Sequence, residues 1–202
     1  MRLPYNLKFI VHLLYKLTFY KMVLLVNSDI IPCMILATHS IVGATVANIF
    51  PGNPLLGFTL GFASHFLVDA IPHWHYPLAT ITDDKETGKA LDKDMVINEH
   101  FVADLLKIGV DAMLGILVAS LFLNVSQPYF LSSTLVGAAG GMLPDALQFL
   151  YWKWRHQPLL SLQRFHLWIH SKNDLDDRPV WGPVSQIILS LSCILLLKLL
   201  QL

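Results

Sequence analysis

Five apolar runs, each near the roughly 20 residues that a helix needs to cross a bilayer core, constrain this chain more than any other feature. They cover about residues 30–50, 54–71, 95–123, 129–152 and 183–200. Turn chemistry interrupts them at Pro51-Gly52-Asn53-Pro54, at Asn124 to Pro128 and at Trp181-Gly182-Pro183. With 54% hydrophobic and only 14% charged residues, the chain is too apolar for disorder and too sparsely charged for an ordinary soluble enzyme. Zero formal net charge removes any bulk electrostatic case for nucleic acid. Cys33 and Cys193 lie in apolar runs without metal or disulfide spacing, and read as small buried hydrophobes. No short apolar core ending at a small-residue cleavage site opens the chain, so no cleaved signal peptide is expected. The expected fold is all-α, a polytopic transmembrane helix bundle of about five spans.

Residues 1–28 precede the bundle, which takes up residues 29–202. In this leading segment Lys8, His12 and Lys16 share one helical face while Ile10, Leu13, Leu14 and Leu17 lie elsewhere. That pattern fits an amphipathic helix lying in the membrane interface, with a sixth span as the alternative. Of the 14 Lys and Arg residues, all but Lys107 and Lys198 fall on one side of the expected bundle. Basic residues favour the cytoplasm, so the chain is expected to be a multi-pass inner-membrane protein with a cytoplasmic N-terminus.

Ionisable groups within spans are costly and tend to serve function. This chain places His39 in the first run, His65 and Asp69 in the second, His100, Asp104, Lys107 and Asp111 in the third, and Asp145 with Gln148 in the fourth. His73 and His75 follow Pro72, and His166 and His170 stand in the last polar loop. At about 1.5 Å rise per residue, all of the membrane-depth His and Asp candidates fall in the cytoplasmic half. Small residues share their faces: His39 with Gly43 and Ala47, His65 and Asp69 with Gly57 and Gly61, Asp145 with Gly137 and Gly141, and the polar face of the third run with Gly115. The bundle is expected to close tightly in its outer half and to open as a polar cup toward the cytoplasm. Gly61→Leu should then disrupt packing, and Ala119→Leu should matter less.

His65/Asp69 and His100/Asp104 have His-x-x-x-Asp spacing and His166/His170 the His-x-x-x-His version, each placing two ligands one helical turn apart. Imidazoles and carboxylates without thiolate suit zinc, manganese or iron(II). The plainer reading makes His39, His65, Asp69 and Asp145 interhelical hydrogen-bond partners, His73 and His75 interfacial residues, and Lys107 with Asp111 an internal ion pair. Pro144 is expected to end or kink its helix. No His-Glu-x-x-His and no Gly-x-Ser-x-Gly is present, which disfavours a zinc protease and a serine hydrolase.

Gly57 to Pro72, GFTLGFASHFLVDAIP, resembles the G-x-x-S-H-x-x-x-D-x-x-x-P signature of the YdjM-like, LexA-regulated membrane-bound metal-dependent hydrolases. Gly141 to Asp145 is similar to that family's Leu-Leu-Pro-Asp element, Ala37 to Ser40 to its early Thr-His element, and Arg164 to Ser171 in part to its His-Arg-Gly-x-Thr-His-Ser element. Zinc-dependent phospholipase C is a more remote likeness. Gln148 stands where the family has a second acid, and the element order differs. The resemblance implies metal ligation by His39, His65, Asp69, Asp145 and His170.

The expected function is a membrane-embedded metal-dependent hydrolase acting on a phosphoester of a lipid or lipid-linked substrate. His166 and Asp104 are the candidates for acid–base work. His73, His75, His100 and Gln148 are candidates for supporting the ligands from behind. Zinc is the expected ion, with manganese or iron(II) as other fits. The alternative is a non-catalytic metal-ion or proton carrier using the same cluster. Haem held between facing histidines is a third reading, which the neighbouring carboxylates disfavour.

Overall fold

The computed structural model of the chain describes residues 35–82, 90–123, 129–173 and 175–200. Six α-helices dominate them: α1 (Ile35–Ala47), α2 (Pro54–Asp69), α3 (Phe101–Phe122), α4 (Phe130–Lys153), α5 (Leu159–Ile169) and α6 (Trp181–Leu200). Two short antiparallel strands, β1 (Ile81–Thr82) and β2 (Asp94–Met95), pair Ile81 with Met95. The expected N-terminal helix of residues 1–28 lies outside the described residues, as does Cys33.

α1 is the axis, packed against α2, α3, α4 and α6. A helix surrounded in this way must be small or apolar on every face, and Ala37, Ile41, Val42, Ala44 and Ala47 are all buried. Its polar residues satisfy themselves locally: Ser40 Oγ donates to Ala37 O at 2.8 Å and Thr45 Oγ1 to Ile41 O at 2.7 Å. Its first turn is capped from across the bundle. The backbone N–H groups of Leu36 and Ala37 donate to Asp111 Oδ2 of α3 at 2.7 and 3.2 Å. A carboxylate deep in α3 is therefore matched to orphan helix N–H groups.

Pro51-Gly52-Asn53-Pro54 folds α2 back along α1. Asn53 caps α2 by accepting from Leu56 N at 3.1 Å, with Pro54 in the first helical position. Glycines set the spacing of α1, α2 and α4. A Cβ built on Gly61 or Gly43 would collide with the Gly137 carbonyl oxygen, and one on Gly141 with His39 O. The three backbones touch where the small-residue stripes were expected to meet.

Among the described residues, two helices are long and apolar enough to cross a membrane, α3 and α6, fewer than the five expected. α1 and α2 have 13 and 16 residues, about 20 and 24 Å at 1.5 Å per residue, short of a hydrocarbon core of about 30 Å. α4 has 24 residues, but Ser132, Ser133, Thr134, three glycines and Asp145 dilute its apolar character. α3 and α6 are mostly exposed, with 17% and 22% of their most apolar stretches buried, unlike the core helix of a soluble protein.

α4 runs on through Pro144 to Lys153, so of the expected end or kink at Pro144 the end is excluded. One local expectation is corrected. Ala119 is fully buried in a core with Ile41, Ala44, Phe130 and Ile194, because α3 presents its small residues to α1 and its large ones outward. Ala119→Leu should be damaging, not mild.

Candidate metal centre

Four helices contribute to the cluster. α1 supplies His39 from its first half, α2 supplies His65 and Asp69 from its last turns, and α4 supplies Asp145 just after Pro144. α5 supplies His166 from its inward face, while Phe165 and Trp168 of the same helix stay exposed. His39, His65, Asp69 and His166 are each at most 4% exposed.

Asp69 is the hub. Its Oδ1 is 3.2 Å from His39 Nε2, and its Oδ2 is 3.0 Å from His65 Nε2 and 2.6 Å from His166 Nε2. His65 Nε2 is also 3.3 Å from His166 Nε2 and 3.6 Å from Asp145 Oδ1. The His39 and His65 rings stack, with centroids 4.0 Å apart. Two donors each about 2.0–2.1 Å from a tetrahedrally held ion are roughly 3.3 Å apart, close to the separations of 3.0, 3.2, 3.3 and 3.6 Å, whereas the 2.6 Å between Asp69 and His166 is a direct hydrogen bond.

Ring orientation also fits a metal. His65 Nδ1 donates to Gly141 O at 2.7 Å. That carbonyl lies beside the gap in the α4 ladder left by Pro144, which has no N–H. A carbonyl only accepts, so a neutral His65 ring carries its proton on Nδ1 and turns its Nε2 lone pair toward Asp69, Asp145 and His166. This is the arrangement in which protein imidazoles bind metals. His39 Nδ1 is buried without a hydrogen-bond partner among the described residues, while its Nε2 faces Asp69 Oδ1.

A second group stands beside the first. After α2, Pro72 turns the chain into an extended segment carrying His73 and His75, and His170 follows the end of α5. The ligand nitrogens of these three lie within 4.8 Å of one another. Backbone bonds sew the two segments together: Ser171 N to Asp69 O at 2.7 Å and Leu175 N to His73 O at 3.0 Å. Gln186 of α6 donates to Trp74 O at 2.8 Å, and Gly182 admits the Trp74 ring, where a Cβ would sit 2.5 Å from Trp74 Cβ. Burial among imidazoles holds His73 well below the usual histidine range, at about 4. Its neutral ring donates Nδ1–H to Ile71 O at 2.7 Å.

The structure thus brings His39, His65, Asp69, Asp145 and His166 together. It sends His170 to His73 and His75 instead, because His170 lies past the helix end with φ −57° and ψ 135° and leaves the helical face of His166. Asp104 is not in the cluster. It is 1% exposed, and its Oδ2 accepts from Thr80 N at 2.9 Å and Thr80 Oγ1 at 2.8 Å, anchoring the strand pair to α3. Lys107 pairs with Asp104 at 3.4 Å. His100 stands at the start of α3 with its side chain 59% exposed, near Glu99. Neither His100 nor Gln148 belongs to any of the ligand groups among the described residues. Asp176, which no spacing singled out, accepts from His75 N at 2.7 Å and lies 3.2 Å from His75 Nδ1.

Set against protein-family models, curated proteins and solved structures, the chain matches none. What the fold and the site establish is a buried group of His and Asp side chains close enough together that they could hold a metal ion.

Proposed function

We propose that the chain is a membrane-embedded, metal-dependent hydrolase that cleaves a phosphoester of a lipid or lipid-linked substrate at the cytoplasmic face. The observation that carries this reading is the convergence of His39, His65, Asp69 and His166 from α1, α2 and α5 on one buried point, with Asp145 of α4 at its edge. Three imidazoles and a carboxylate suit zinc, with manganese or iron(II) as other fits. A divalent ion bound there supplies a Lewis acid for a phosphoryl oxygen and brings the pKa of a water toward neutrality.

The chain's own groups do the rest. His65 is oriented by Gly141 O, and Asp69 holds His39 and His166 in register. Asp145, whose side chain is 29% exposed, is the member that reaches the mouth, and its carboxylate takes the proton of the attacking water. This gives the acid–base role to Asp145 and makes His166 a ligand. Lipid against the exposed apolar faces of α3 and α6 would favour a phosphoester carried on an apolar tail. A carrier would need a path through the bundle, and the backbone contacts at Gly43, Gly61 and Gly137 close the far side.

The test is phosphate or headgroup release from a panel containing a phosphomonoester, a phosphodiester and phospholipid vesicles, with the protein in lipid and loaded with zinc. Hydrolysis that chelator abolishes is expected. Asp145→Asn should lower the rate by about 10²–10⁴ while the metal stays bound. A metal-loaded protein that cleaves none of the three overturns the hydrolase reading.

A further inference from the structure

The geometry points to a second, exchangeable metal site formed by His73, His75 and His170, next to the buried cluster and sharing Asp69 with it. The site takes a first-row divalent ion that accepts three imidazoles, such as zinc or cobalt(II). It rests on the reading of the buried cluster only through Asp69, since the three imidazoles make their own case.

That case is one of proton placement. His73 Nδ1 donates to Ile71 O at 2.7 Å, and His170 Nδ1 to Ser171 O at 3.0 Å. His75 Nδ1 lies 3.2 Å from Asp176 Oδ1. Carbonyl and carboxylate oxygens only accept, so all three rings carry their proton on Nδ1. In the neutral rings Nε2 is then the lone pair, and the Nε2 atoms of His75 and His170 face each other at 3.3 Å. Two lone pairs at that distance repel unless a cation lies between them. The separation again matches the roughly 3.3 Å edge of a tetrahedral shell with donors about 2.0–2.1 Å from the ion. The ring centroids are 4.5, 4.8 and 5.2 Å apart, so no ring is turned away.

The site is built, not incidental. Asp176 orients His75 while also accepting from its backbone N–H. The bond from Ser171 N to Asp69 O ties His170 to the end of α2. His73 Nε2 lies 3.9 Å from Asp69 Oδ1, the oxygen that also faces His39. Asp69 therefore stands between the two groups, as a carboxylate does in two-ion centres. The two sites differ in access. The buried ligands are almost closed to solvent, whereas the His75 side chain is 30% exposed and that of Asp176 46%. The outer ion exchanges first.

The full chain in lipid, stripped by chelator, is titrated with cobalt(II), and bound ions are read from elemental content and from the visible absorption of tetrahedral cobalt. The wild type is expected to bind two ions in two steps. A His75→Ala/His170→Ala double variant should bind one, with the buried site's spectrum kept and the helical circular dichroism unchanged. Asp176→Ala, which leaves all three imidazoles in place, should weaken the outer step by about 10- to 100-fold, as loss of a partner behind a ligand does. If the wild type binds one ion and the double variant keeps it, the outer site is refuted and a proton separates His75 from His170. If the wild type binds one ion that the double variant loses and His39→Ala retains, the outer site stands and the buried reading fails.

Discussion

Replacing Asp69 by Asn keeps the size of the side chain and removes the charge that three imidazoles share. Added zinc should raise the melting temperature of the wild type, as any ligand selective for the native state does, and should raise that of Asp69→Asn much less, since only the outer imidazoles remain to bind it. An equal zinc-induced shift in both proteins would take Asp69 out of the ligand set. Asp104→Asn provides the contrast. It disturbs only the Thr80 anchor and the Lys107 pair, so it should cost about 1–3 kcal/mol of stability and leave metal binding intact. At this scale His39, His65, Asp69 and Asp145 are legible in the sequence, because depth along a helix and a spacing of four fix where such groups can meet. The exchange of roles between His166 and His170 is not, since the spacing rule holds only while both residues stay in the helix. His73 and His75 did carry a signal: two histidines two apart, just after Pro72, share a face once the chain is extended.

Among the elements, the α1–α2–α4 seam is the part most open to a steric test. Gly61→Leu places a branched side chain against the Gly137 backbone, which cannot yield without moving α4. It should lower thermal stability sharply in detergent. Gly109→Leu, at a position where a Cβ meets nothing within 4 Å, should be close to neutral. Equal melting of the two variants would contradict the seam. Glycine and alanine at intervals of four announce this packing from the sequence. The start of α3 was less legible. Apolar residues continue back to Met95, yet Met95 pairs with Ile81, and Asn98 Oδ1 accepts from His100 N at 2.9 Å to form the turn that delays the helix to Phe101. Hydropathy alone cannot tell a buried strand residue from the first turn of a helix.

For the whole molecule, the chain's apolar character predicted five spans, and among the described residues two helices qualify by length and composition. The difference arises because α1 is apolar from being enclosed by other helices, and a sequence records burial without saying whether protein or lipid provides it. The exposed leucines of α3 and α6, among them Leu106, Leu121, Leu196 and Leu200, need a cover, and we assign it to lipid. With five spans and a cytoplasmic N-terminus, a reporter active only outside the cytoplasm should be active when fused after Leu202. With α3 and α6 as the spans it should be silent there and a cytoplasmic reporter active, so the pair of fusions decides between the two counts. The central claim, that the His and Asp cluster holds a metal, is tested most directly by the elemental content of the chain purified in lipid without added metal. The account predicts at least one divalent transition-metal ion per chain, removed by chelator and restored by zinc. A folded chain that carries no such ion and takes up none of zinc, manganese or iron(II) would contradict it.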